Sequence, residues 1–437
     1  MRLTFFGAAH EVGRSCIMVE SSSGTKILLD AGVKLGEKEE YPVIGDDELK
    51  DVEAIVVTHA HLDHSGYLAH IASTGWNGAV YSTKPTFELT SVLINDYMKI
   101  SNPENVTKAG LARMSKLFKF AEYHKLFRIK DLEIKLLPAG HILGSAMIEI
   151  KDGSKKLLYT GDFNMRKTKL LDPAYTRDLS SDTLITESTY GGAKDIFPPL
   201  KEVTTNMVAD IKETLLNGGK VIIPSFAVGR AQEILLILDD YLRSGKLPTV
   251  PLYMDGMIKK AMKIHRHNVM YCRDELQKRI LMSEDDPFKS KNFVPIESKA
   301  MRSKAMSEDE ASIIVTTSGM ITGGPVVKYL QRLASIERNK LILVGYQALD
   351  TKGRELQDGA KEIELDGRKI KVNMSIKSYH FSAHADRNQL LRFMTEIKSL
   401  RNVFIVHGEE NKSNELYDAI KGKYNAKVPL PKETVIV

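Results

Sequence analysis

The sequence predicts an α/β protein of two domains: a β sandwich carrying a metal site along one edge, and a parallel α/β sheet inserted within it. Three observations point there. Four side chains able to bind a metal, His59, His61, Asp63 and His64, lie within six residues directly after the apolar run Ala54-Ile55-Val56-Val57. Strand after strand in the first 191 residues ends in a candidate ligand or acid–base residue. From residue 192 the texture changes to repeated strand, glycine-containing turn and helix, and the last sixty or so residues revert to the first texture.

At 437 residues the chain exceeds one compact core and suggests two domains. A composition 43% hydrophobic and 27% charged is that of a soluble globular protein, and no apolar run reaches the length of a membrane span. Met1 to Gly7 reads as a strand rather than a signal peptide, so a cytoplasmic location is expected. Cys16 and Cys272 are the only cysteines, which excludes a disulfide framework and fits a reducing compartment. The net charge of +6 permits a polyanionic substrate without demanding one. The clusters Arg166-Lys167-Lys169, Lys259-Lys260-Lys263-Arg266 and Lys289-Lys291 read first as solvated faces.

Taken in order, Arg2 to Phe6, Ser15 to Glu20, Lys26 to Leu29 and Ala54 to Val57 read as short strands punctuated by glycines. The third ends in Asp30, a carboxylate that alone would be read as a turn or capping residue. On an extended segment alternate residues face one side, so His59 and His61 can ligate one ion together. Asp63 and His64 follow where a helix is expected (Ser65 to Ile71) and turn toward a second position. Imidazole with carboxylate suits zinc and its neighbours in a hydrolytic role. Lys84 to Leu117 reads as mostly helical and Lys130 to Leu137 as a strand. His141 stands in a glycine-flanked loop, Asp162 follows the strand Lys156 to Thr160 as the natural bridge between two metals, and Glu187 ends the strand from Thr183.

In the middle section Val221 to Pro224, Pro251 to Met254, Ile313 to Thr316 and Lys340 to Val344 read as parallel strands. Ligands bind at the carboxyl ends of such strands, and helix N-termini there attract phosphate. Ser225, Arg230, Ser318 and Gly319 are therefore candidate phosphate contacts, though turn and capping chemistry explains them nearly as well. Ile370 to Ile376 reads as a strand, His384 opens a helix to Leu400, and His407 follows the strand Asn402 to Val406. Two histidines at element boundaries suggest that the chain returns to complete the first domain's site. The expected division is 1–191 with 375–437, and 192–374 between.

His59-Ala60-His61-Leu62-Asp63-His64, with Asp30, His141 and Asp162 in order around it, resembles the metallo-β-lactamase superfamily. Glu187-Ser188-Thr189-Tyr190-Gly191, Pro224 through Arg230, Ser318-Gly319-Met320, Gly345-Tyr346-Gln347, Ser382 through Asp386 and Val406-His407-Gly408 narrow the match to the β-CASP nucleases. Within these the chain is most similar to archaeal and bacterial relatives of the cleavage-and-polyadenylation endonuclease. The hydrolase texture beginning at Met1 suggests the form lacking amino-terminal KH domains.

The resemblance implies an αββα sandwich with an inserted β-CASP domain. It implies two zinc ions per chain, with manganese as a possible substitute. His59, His61 and His141 would hold one, Asp63, His64 and His407 the other, and Asp162 would bridge them. Asp30 would orient a ligand or the nucleophile. A histidine at 407 resembles the RNA-cutting branch. His10, His70, His124, His265, His267 and His380 are left outside the site.

Two metals acidify water and clamp the oxygens of an in-line displacement at phosphorus. His384, paired with Glu187, is the expected proton donor to the leaving oxygen, giving 5′-phosphate and 3′-hydroxyl ends. The inserted domain would close over the site and admit single-stranded RNA, cut endonucleolytically, from the 5′ end, or both. The tail from Val428 resembles the family's dimerising end, so a homodimer is expected, with other RNA-processing factors as further partners. The competing readings are a small-ester, lactam or thioester hydrolase, a scaffold subunit of a processing complex, and a flavin-linked di-iron oxidoreductase. The long insertion, the filled ligand positions and His61 respectively argue against them.

Overall fold

The computed structural model describes residues 1–36, 39–100, 103, 106–283, 285–307 and 310–437. By contacts the chain divides into two units. The first comprises Met1–Lys167, Leu171–Ile196 and His384–Val437, and the second Thr168–Leu170 and Phe197–Ala383.

The first unit contains two seven-stranded sheets. One runs Thr434–Ile436, Arg2–Phe5, Ile17–Glu20, Lys26–Leu29, Val52–Val56, Ala79–Ser82, Phe118–Phe120; the other runs Asn425–Lys427, Asn402–Val406, Thr183–Glu187, Lys155–Tyr159, Ala146–Asp152, Leu132–Pro138, Leu126–Ile129. Alternate residues from both sheets, among them Phe5, Val56, Ile148, Tyr159 and Phe404, interdigitate in one apolar core. The opposite faces are covered by helices. Leu68, Ile94 and Met114 pack on the first sheet, and Leu390, Phe393 and Leu416 on the second. This is the αββα layering that the resemblance implied.

The register explains where the site must be. Lys26–Leu29 and Val52–Val56 are parallel neighbours with Leu29 opposite Val56, so Asp30 and the segment from Val57 emerge side by side. In the second sheet Tyr159 lies opposite Ile185, and Glu187 opposite Val406, so three parallel strands deliver the residues that follow them to one edge. Close approaches there need glycine: a Cβ on Gly32 would sit 1.6 Å from the Asp63 carbonyl oxygen.

The second unit is built on a six-stranded sheet in the order Phe293–Pro295, Leu252–Asp255, Ser312–Thr316, Lys220–Pro224, Lys340–Leu343, Ser375–Ser378. Every pair is parallel, as strand–turn–helix repetition requires. One apolar cluster packs Val326, Tyr329, Leu330 and Leu333 of the helix Pro325–Leu333 on Ile222, Ile314 and Leu341.

The structure revises some local expectations and sharpens others. The run Ile370 to Ile376 is two strands: Arg368–Lys371 forms a hairpin with Glu362–Leu365, whereas Ser375–Ser378 pairs with Lys340–Leu343. Between them the amides of Asn373 and Met374 bond to the Ala334 carbonyl instead of a strand partner. The segment from 375 therefore lies in the second unit, and the first resumes at His384. The expected helical stretch 84–117 comprises helices Lys84–Ile100 and Lys108–Leu117, with positions 101, 102, 104 and 105 outside the described residues. The helix after His384 is Arg387–Glu396, capped by Asp386, whose side chain accepts from the Gln389 amide.

Candidate metal centre

Three groups of ligand atoms converge at the strand-end edge of the first unit: His59, His61, His141 and Asp162; Asp63, His64, Asp162 and His407; and Asp162, Glu187 and His384. Within each group one ligand atom per residue lies within 4.8 Å of the others. Asp162 belongs to all three. All seven expected metal-binding residues and the His384–Glu187 pair are thus brought together, whereas Asp30 stands behind them.

In the first group His61 Nδ1 and His141 Nε2 are 3.1 Å apart, and His59 Nε2 is 3.5 Å from Asp162 Oδ2. Two imidazole nitrogens at that separation form one edge of a coordination shell more naturally than a proton-sharing pair. In the second, His64 Nε2 is 3.4 Å from Asp162 Oδ1, and His407 Nε2 is 3.3 Å from Asp63 Oδ2. His59 Nε2, His64 Nε2 and Asp162 Oδ1 are buried and make no hydrogen bond to any described residue. Buried polar atoms rarely stay unpaired, so aiming three of them into two nitrogen-and-oxygen cages fits divalent cations of the zinc class. Burial lowers the proton affinities of His59 and His61, leaving the neutral imidazoles that ligation requires. Burial would lower His64 also, but the carboxylates of Asp162 and Asp30 outweigh it and hold its pKa well above the ordinary value.

Asp30 is fully buried and left-handed at φ 60°. Its oxygens accept from the Thr58 amide (2.7 Å), the Thr58 hydroxyl (2.8 Å to Oδ2), His64 Nδ1 (2.7 Å) and the Tyr159 hydroxyl (2.9 Å). With both oxygens occupied by protein donors, it positions His64 rather than a nucleophile, which narrows the expected role. Thr58 and Tyr159 are the members that reasoning from sequence missed. Thr58 lies beside the histidine cluster, but nothing in its spacing foretells a partner 28 residues back.

On the third side, His384 Nδ1 lies 2.9 Å from Glu187 Oε2 and 3.0 Å from Oε1. Glu187 Oε1 also accepts from the Phe163 amide at 2.9 Å, which fixes the carboxylate. Burial depresses the imidazole pKa, yet Glu187 and Asp162 together raise it to about 9.

Ser225, Arg230, Ser318 and Gly319 lie in the second unit, after the adjacent parallel strands Lys220–Pro224 and Ser312–Thr316. They are close together, since a Cβ on Gly319 would fall 2.8 Å from the Phe226 nitrogen. Ser318 Oγ accepts from the Thr322 amide and donates to the Gly323 carbonyl, and Arg230 opens the helix Arg230–Arg243. Four of the six remaining histidines pack on neighbours away from the site: His70 stacks on Tyr67, His124 meets Tyr175 edge-on, His380 stacks on Phe197, and buried His265 bonds the Ala261 carbonyl through Nδ1. Members of the first two basic clusters are paired locally, with Arg166 on Asp386, Lys169 on Asp240, Lys259 on Glu297 and Arg266 on Asp286.

Known proteins align with this arrangement. Family models match at residues 11–214 (metallo-beta-lactamase superfamily), 231–356 (Beta-Casp domain) and 369–431 (Zn-dependent metallo-hydrolase RNA specificity domain). The transcription termination factor FttA of Methanocaldococcus jannaschii is 37% identical over 99% of this chain and 70% of its own length. The chain belongs to the β-CASP family of the metallo-β-lactamase superfamily. By class it is a metal-dependent ribonuclease. An RNase J-like protein of the same organism is 39% identical, covering 94% of this chain and 93% of the relative. A solved structure of a protein of unknown function from Enterococcus faecalis matches over 100% of this chain and 99% of its own, with a TM-score of 0.61 and 13% identity, a likeness of fold alone. No described helix is long and apolar enough to cross a membrane.

Proposed function

We propose that this β-CASP enzyme hydrolyses phosphodiester bonds of single-stranded RNA with two zinc ions per chain. The observation that carries this reading is the double cage sharing Asp162, with the His384–Glu187 pair on its third side. His59, His61 and His141 would hold one ion, Asp63, His64 and His407 the other, and Asp162 both; the donor set accepts manganese as well. When bound, such a pair polarises the phosphate and supplies a nucleophile from water at neutral pH.

The chain's own groups do the rest. Asp30 and Tyr159 hold His64 in orientation. Glu187 holds His384 by Nδ1, so the proton for the leaving oxygen comes from Nε2, giving 5′-phosphate and 3′-hydroxyl products. Ser225, Arg230, Ser318 and Gly319 would contact backbone phosphates at the carboxyl ends of the second unit's strands, where parallel sheets bind ligands.

Both endonucleolytic and 5′-to-3′ exonucleolytic modes belong to this reading, in RNA 3′-end formation or decay. Relatives named as transcription termination factors and as RNase J-like support that setting. A cytoplasmic location suits the two free, buried cysteines. A homodimer is supported by the apolar side chains that the C-terminal tail leaves exposed, Leu430 at 59% and Ile436 at 82%, and analytical ultracentrifugation tests it.

The deciding experiment incubates metal-loaded enzyme with 5′-labelled single-stranded RNA bearing a monophosphate or a triphosphate, alongside single-stranded DNA and a chromogenic lactam. RNA cleavage that is lost on chelation and restored by zinc is expected. Turnover of the lactam alone would replace this reading with the small-substrate one.

A further inference from the structure

Hydrogen bonds lead outward from His141 to a surface that no ligand role requires. Ser145 Oγ accepts from the His141 amide at 3.1 Å, and the Ser145 carbonyl accepts from the Tyr123 hydroxyl at 2.7 Å. The neighbouring Gly144 carbonyl accepts from the hydroxyls of Thr83 and Thr86 at 2.8 and 2.9 Å. Thr86 sits in the first turn of the helix Lys84–Ile100, and Tyr123 lies just past the edge strand Phe118–Phe120. The same helix turn and strand carry three phenylalanines. Phe87 meets Phe118 at 4.7 Å and Phe120 at 5.4 Å between ring centroids, and Phe120 is 55% exposed.

The register fixes where this cluster faces. Val56 pairs with Tyr81, and Ser82 with Phe120, in three parallel neighbours, so Phe120 ends at the edge where His59 emerges. Two strand spacings separate them, roughly 10 Å. Lys84, Lys116 and Lys125 are exposed on the neighbouring stretches of chain, whereas Lys119 alternates to the other face of the strand and stands over the Tyr81 ring at 5.7 Å. Lys84 lies 3.8 Å from Glu88, and Lys125 lies 2.7 Å from Glu122.

We infer that Phe120, backed by Phe87 and Phe118, is a stacking platform for an unpaired nucleobase of the RNA flanking the scissile linkage. The inference rests on the ribonuclease reading above. An aromatic face takes any base, and a single-stranded substrate presents bases whose faces need cover. Exposed Lys116, just before the strand, adds positive charge for the backbone beside that base. The edge strand has only three residues, too short to recruit a peptide by sheet extension, which favours a base over a protein partner.

The test uses the full chain with single-stranded oligoribonucleotides in which each base in turn is replaced by an abasic site. Phe120→Ala and Phe120→Leu should each raise KM about tenfold with kcat unchanged, while Phe120→Tyr retains the wild-type value. Phe120→Leu keeps an apolar contact with Phe87 but lacks the aromatic face, so it separates stacking from packing. One abasic position should weaken the wild type by the same factor and leave Phe120→Ala indifferent. Normal RNA cleavage with unchanged KM in Phe120→Ala, or no position at which variant and wild type converge, overturns the platform alone. A wild type that cleaves no RNA overturns the ribonuclease reading instead.

Discussion

Replacing Asp30 by asparagine changes one oxygen to an amide without altering volume. In the structure Oδ2 receives His64 Nδ1 at 2.7 Å and the Tyr159 hydroxyl at 2.9 Å, while Oδ1 receives the Thr58 amide at 2.7 Å. Asparagine can keep its carbonyl on Thr58, but its NH2 then faces two donors. His64 escapes by moving its proton to Nε2, the nitrogen aimed into the second ligand group. A protonated Nε2 offers no lone pair to a cation. Disrupting a partner of this kind costs roughly 10–100-fold in metal affinity, or about 1.4–2.7 kcal/mol. Competition against a calibrated zinc chelator reads this directly, without reference to turnover. The first cage meets Asp30 only through the Thr58 hydroxyl, which lies 3.0 Å from His59 Nδ1, so it should lose less affinity, and the titration should split into a lightly and a strongly weakened step. Two unchanged steps in Asp30→Asn would refute the orienting role.

Other outcomes follow from the same geometry. His384→Gln should retain both metals by elemental analysis while kcat for RNA falls roughly 10²–10⁴-fold; wild-type turnover would remove it as proton donor. Chelation should lower the melting temperature as well as activity, since each ion at a hundredfold its Kd contributes about 2.7 kcal/mol; calorimetry with and without chelator checks this. Arg230→Ala should weaken RNA binding and reduce the salt slope by about one, measured by fluorescence anisotropy at several ionic strengths. Buried His265 has its pKa pushed down from 6.5 to about 4 by burial. The unfolded chain therefore takes up a proton that the folded one refuses, and stability is lost as pH falls from 6.5 toward 4, by at most roughly 3 kcal/mol. Urea unfolding of His265→Leu should show a shallower acid decline than wild type.

The convergence of the candidate ligands was legible in the sequence because they cluster or sit at strand ends. His59, His61, Asp63 and His64 lie in one short run, and His141, Asp162, Glu187 and His407 each follow an apolar stretch. What escaped was whatever depends on which strands are neighbours. Thr58 and Tyr159 meet Asp30 only because Lys26–Leu29 and Val52–Val56 pair in parallel and the second sheet lies across from them. Residues 370–376 read as one continuous strand, whereas the bonds from Asn373 and Met374 to Ala334 divide that run between two sheets. The phenylalanine cluster went unremarked since Phe87 and Phe120 are thirty-three residues apart and neither belongs to a motif.

Asp63 and His407 touch across 344 positions of chain. During synthesis, His59, His61, His141 and Asp162 leave the ribosome long before the strand Asn402–Val406 takes its place between Thr183–Glu187 and Asn425–Lys427. A nascent polypeptide can thus close its first cage early and its second only near the finish, after every residue of the intervening unit has been made.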